Sequence, residues 1–95
     1  MEKVDVDIYM NNFIRFFDNN PKDLKDLIGN EDKTVFYEKV RIQALRNLDR
    51  GEYVELTQKQ ILDICVDIHK SKSKALEVKI EQIFVNTKYG KIFLN

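Results

Sequence analysis

Breakers of regular structure are scarce and far apart in this chain. It has one proline, Pro21, and three glycines, Gly29, Gly51 and Gly90, in 95 residues. Glycine and proline are the strongest local punctuation a sequence carries. The stretches between these marks are long enough for helices, and most of their apolar residues recur with a helical period. No Pro/Gly/Ser-rich linker and no internal repeat interrupts them, so residues 1–95 are expected to form a single domain.

The first stretch carries Val6, Tyr9, Met10, Phe13, Phe16 and Phe17 at the i, i+3, i+4, i+7 spacing of one helical face. This spacing predicts a helix over about 7–19. Val4, Val6 and Ile8 also alternate with Asp5 and Asp7, so a short initial strand is the alternative. Asn20-Pro21 ends this element and opens the next, with Asn20 as the expected cap, Pro21 in the first turn and Gly29 as the stop. A third helix is expected over about 31–49. Asn30 or Asp32 caps it, Phe36, Tyr37, Val40, Ala44 and Leu48 form its apolar stripe, and Gly51 closes it.

The second half is less uniform. Tyr53-Val54-Glu55-Leu56 alternates like a short strand, and Thr57 followed by Gln60 has the form of a capping box. That box predicts a fourth helix to His69. Its residues Ile61, Leu62, Ile64, Cys65, Val66 and Ile68 cover about 200° of the helix, against roughly 100° for a helix packed on one side. Such a helix is either central to the fold or shared with another subunit. Beyond the turn Lys70-Ser71-Lys72-Ser73-Lys74, Leu76, Ile80, Ile83 and Phe84 fit a helix. Leu76, Val78 and Ile80 also fit a strand, and the helix is the preferred reading. Phe84–Asn95 reads as a hairpin turning at Thr87-Lys88-Tyr89-Gly90, with its last strand, 91–94, pairing with 53–56. The expected fold is therefore mainly α, with four or five helices and a small antiparallel β element.

Charge adds a second constraint. Sixteen basic and sixteen acidic side chains cancel, so whole-molecule attraction to nucleic acid or an anionic membrane is not expected. The distribution is uneven. Residues 1–67 hold ten Lys/Arg and fourteen Asp/Glu, a net −4, while 68–95 hold six and two, a net +4. The single cysteine, Cys65, rules out an intrachain disulfide. The start of the chain lacks the basic-then-apolar order of a signal peptide, and no apolar run approaches the roughly 20 residues that span a bilayer. A cytoplasmic protein with no membrane partner is expected.

Few residues offer chemistry. Cys65 and His69 stand at i, i+4 on the fourth helix, but zinc needs three or four ligands and no further Cys or His exists. Cys65 among Ile61, Ile64 and Ile68 is read as a buried thiol. Asp63 and Asp67, also i, i+4, are read as a solvated helix face. Asp23/Asp26 and Glu31/Asp32 lack the order of a calcium loop and are read as helix-start charges. No two glycines lie close enough for a phosphate loop, and Ser71 and Ser73 have no nucleophile-elbow context. No catalytic residue, metal or cofactor is expected.

The order helix, short strand, helix, basic turn, helix and terminal hairpin resembles that of winged helix–turn–helix proteins over about half of the chain. The resemblance implies that Lys74–Phe84 lies in the major groove of a nucleic acid, with Lys70, Lys72, Lys74, Lys88 and Lys91 as contacts. The outward face of that helix also carries Glu77 and Glu81, which oppose phosphate. The leading expectation is instead a non-catalytic interaction protein with a protein partner or a second copy of itself. Its interface is expected to include Leu62, Val66, Ile92, Phe93 and Leu94. The nucleic-acid-binding regulator is the runner-up.

Overall fold

The computed structural model describes residues 3–69 and 73–87. Five helices follow one another: α1 (Lys3–Asp18), α2 (Pro21–Ile28), α3 (Lys33–Asp49), α4 (Gln58–His69) and α5 (Ser73–Thr87). No strand occurs among the described residues.

α1 begins before residue 7 and replaces the alternative strand. Val6 is fully buried while Ile8 is 48% exposed; a strand would have turned both to one side. The helical face Val6, Tyr9, Met10, Phe13, Phe16 and Phe17 is buried throughout. Asp5 sits in the first turn, where the helix dipole favours an anion.

The link to α2 differs from expectation at one side chain. Asn20 occupies the N-cap position of α2 but makes no side-chain bond to it. Its amide donates instead to the Phe16 carbonyl at 2.8 Å, closing the C-terminal end of α1. Only two residues separate the helices, so one amide cannot serve both ends, and the orphan carbonyl of α1 takes it. Pro21 still starts α2, and Gly29 ends it at φ 64°.

α3 starts at Lys33, later than expected, because Asp32 is its cap: the Thr34 N–H donates to the Asp32 carboxylate at 2.8 Å. A cap of this kind is worth about 1 kcal/mol. The other end closes with Gly51 at φ 72°. There Gly51 N–H donates to Leu48 O at 3.0 Å and Glu52 N–H to Asn47 O at 2.9 Å, the paired bonds of a Schellman stop.

Residues 53–56 are loop, which corrects the expected strand. The alternation itself is real: Val54 and Leu56 are 4% and 2% exposed, while Tyr53 is 73% exposed. What is missing is a ladder. The buried Leu56 N–H donates to the Tyr9 hydroxyl at 3.1 Å, so a side chain satisfies the donor that a neighbouring strand would have taken. The expected partner strand, 91–94, lies outside the described residues. Of the expected hairpin, 84–87 belong to α5 and the remainder lies outside the described residues. α5 itself is the preferred helix: Leu76, Ile80 and Ile83 are buried, while Val78 is 49% exposed.

Among the described residues, all buried apolar side chains join one cluster. Its α1–α3 side is aromatic, with Phe13 in tilted or edge-on contact with Tyr9, Phe17, Phe36 and Tyr37 at centroid distances of 5.8, 5.0, 5.7 and 6.1 Å. The α4–α5 side is built from Ile61, Cys65, Leu76, Ile80 and Ile83. The two readings of the wide apolar arc on α4 are now separable in part. α4 packs against α2, α3 and α5, so it is central to the fold.

Candidate interaction surface around the fourth helix

The start of α4 is fixed by the capping box read from the sequence. Gln60 N–H donates to Thr57 Oγ1 at 3.1 Å, and Thr57 N–H donates back to Gln60 Oε1 at 3.0 Å. The same Gln60 amide forms a two-way pair with Asn47 of α3. Asn47 Nδ2 donates to Gln60 Oε1, and Gln60 Nε2 donates to Asn47 Oδ1, both at 3.0 Å. Gln43 Nε2 also donates to Asn47 Oδ1 at 3.0 Å. Asn47, 2% exposed, is the one buried polar residue among those described, and all its side-chain atoms are satisfied. Asn47 escaped the sequence reading, although it follows Ala44 at i+3 on the buried stripe of α3.

Cys65 is fully buried, as its isoleucine neighbours imply. Burial pushes its thiol from an ordinary value of 9.0 up to about 12. The thiolate is the reactive form. The folded protein is therefore expected to resist an aromatic disulfide reagent in mildly alkaline buffer and to react fully once denaturant opens the core. Burial, and then the neighbouring Asp18 carboxylate, likewise raises Tyr37 from 10.0 to about 12. Both groups hold their proton more tightly folded than unfolded, so their contribution to stability is complete below about pH 9 and is lost as pH climbs toward 12. Denaturation midpoints measured across that alkaline range are expected to fall; a flat profile would contradict the burial of these groups.

His69, at the last turn of α4, lies over Gly29. A Cβ at Gly29 would stand 2.6 Å from His69 Nε2, so the ring packs against bare backbone where α2 ends. Among the described residues no group of three or more His, Cys, Asp or Glu is placed to hold a metal. Asp63 and Asp67 lie on the solvated side of α4 and meet lysines: Lys59 with Asp63 at 3.4 Å, and Lys39 of α3 with Asp67 at 3.1 Å. Asp23 and Asp26 do more than start α2. Both bind Lys79 of α5, at 2.8 and 3.1 Å, and this raises the lysine's pKa, chiefly through the hydrogen bond to Asp23. That junction was invisible in the sequence, because it joins residues more than fifty positions apart.

Of the five lysines assigned to nucleic acid, only Lys74 is described, and it is exposed on α5 beside exposed Glu77 and Glu81. Lys70, Lys72, Lys88 and Lys91 lie outside the described residues, as do Ile92, Phe93 and Leu94 of the expected interface. The other two interface residues, Leu62 and Val66, are half-buried against the core. Leu62 opens into a shallow groove between α4 and α5, floored with Ile80 and edged by Gln58, Lys59 and Glu77. A second groove separates α3 from α4. Ile42 and Ile64 form its floor, with Lys39 and Arg46 on the α3 side and Asp63 and Asp67 on the α4 side. Among the described residues no helix is long and apolar enough to cross a membrane.

Comparison of the chain with protein-family models, with curated proteins and with solved structures finds no match.

Proposed function

We propose that this chain is a non-catalytic interaction domain that works as a homodimer. The observation that supports it most is the position of α4. It is the central helix of the fold, yet Leu62, Ile64, Val66 and Ile68 are only partly buried against the core, and shallow grooves flank it on both sides. Apolar side chains left half-covered beside charged rims have the make-up of a small protein–protein interface, with an apolar centre inside a polar edge.

Sedimentation equilibrium of the purified protein, from low micromolar to near-millimolar concentration, tests the proposal. The expected result is a concentration-dependent mass approaching twice the 11.3 kDa of one chain. A single monomeric species over the whole range would overturn it. Co-purified nucleic acid released steeply between low and moderate salt would instead favour the regulator reading, since phosphate contacts carry that salt dependence.

A further inference from the structure

We infer that the α3–α4 groove is the homodimer interface, closed by a two-fold axis lying along the groove. This rests on the homodimer reading above and says which face it uses.

Two observations select this groove over the one between α4 and α5. The first is apolar surface. Ile42, in the groove lining, is 40% exposed, and Val35, two turns earlier on the same face of α3 and just beyond the groove, is 46% exposed. In the α4–α5 groove the apolar lining is the half-buried Leu62 and Ile80, only 2% exposed, so neither is as open as Ile42.

The second observation is charge. The rim is segregated by helix, with cations Lys39 and Arg46 on α3 and anions Asp63 and Asp67 on α4. The contacts Lys39–Asp67 and Asn47–Gln60 run these helices antiparallel, so Lys39 stands level with Asp67, and Arg46, next to Asn47, lies less than one turn from the height of Asp63. An isologous interface must be complementary to itself. Rotation by half a turn about the groove lays α3 of one copy over α4 of the other and keeps every height unchanged. Lys39 then meets the partner's Asp67, Arg46 reaches the partner's Asp63, and the Ile42–Ile64 floors face each other. A surface of a single sign would repel its own copy. Arg46 has no ion pair among the described residues, and Asp63 is held only by Lys59 at 3.4 Å with its side chain 63% exposed. Both are therefore open to an intermolecular partner.

The test exploits this symmetry. R46E and D63R each set like charges against each other at both symmetry-related contacts, so each variant alone is expected to dimerise about tenfold or more weakly than wild type. An equal mixture of the two restores opposite charges at both contacts of a heterodimer, and its mass is expected to return to that of the wild-type dimer. A loss caused by misfolding cannot be repaired by mixing, and far-UV melting of each variant reports its fold independently. Ile42→Ser is a second probe; it removes apolar area from the groove without touching the core and should also weaken dimerisation. If the wild type dimerises and the charge variants still do so, this face is wrong while the homodimer reading stands. Variants that lose the dimer and do not regain it on mixing also overturn this geometry. A wild type that stays monomeric overturns both.

Discussion

Phe13→Ala should remove about 3–5 kcal/mol of folding stability, the largest single loss expected from truncating one side chain here. Phe13 is fully buried, and among the described residues its ring touches Tyr9 and Phe17 of α1 and Phe36 and Tyr37 of α3. Truncation costs the transfer energy of the ring and also the cavity, because rings held in tilted and edge-on contacts cannot all slide inward to fill it. A domain of this size has about 5–15 kcal/mol in total, so the variant should sit near its unfolding threshold. Its melting temperature should fall by about 12–40 °C, at roughly 4–8 °C per kcal/mol. Phe13→Leu keeps most of the volume and should lose about 1.5 kcal/mol. Val35→Ala, at a half-exposed site, should change stability by no more than about 0.5 kcal/mol. Urea denaturation of the three variants separates these values. A Phe13→Ala protein within about 1 kcal/mol of wild type would mean that the ring cluster is not the centre of the core.

The second large effect is expected at Asn47. Asn47→Ala removes one acceptor and one donor from a buried relay and leaves the Gln60 and Gln43 amides short of partners. Unmade bonds of half-buried amides cost more than the bonds themselves return, so the expected loss is about 2–3 kcal/mol. The effect should be shared with Gln60. Because the two amides bind each other twice, a cycle of Asn47→Ala, Gln60→Ala and the double variant should show a coupling of about 1–2 kcal/mol. Additive losses would show that the pair does not act as a unit.

Where helices begin and end was largely legible, because capping is local chemistry. Asp32, Gly51 and the Thr57/Gln60 box do what their positions imply. Asn20 does not, since it stands between two helix ends and the sequence cannot say which will claim the amide. The strand expected at 53–56 failed for a different reason. Inward and outward alternation was read correctly there, but alternation describes any extended segment whose side chains meet a core on one side. Whether it becomes a strand depends on a backbone partner, and here the Tyr9 hydroxyl, far away in sequence, supplies the bond. Val78 illustrates the opposite outcome. A strand would have placed it with Leu76 and Ile80; the helix turns it outward, and the i, i+4 spacing of the two buried residues was the better guide.

The candidate surface was only half legible. The breadth of the α4 apolar arc was visible, and Leu62 and Val66 lie on it, half-buried against the core. That Ile64 would share a groove with Ile42, flanked by oppositely charged helices, depends on how α3 and α4 cross. The partner amide of Asn47 and the two carboxylates that hold Lys79 come from other helices. No spacing within a single helix names those partners.

The ring cluster also has a consequence for biosynthesis. Its described members run from Tyr9 to Tyr37, so all of them are synthesised, and emerge from the ribosome, ahead of any residue of α4. The nascent chain should therefore collapse early around α1 and α3, with its aliphatic cover still to come. A released product truncated before Gln58 would expose a sticky half-core, the kind of species that chaperones bind.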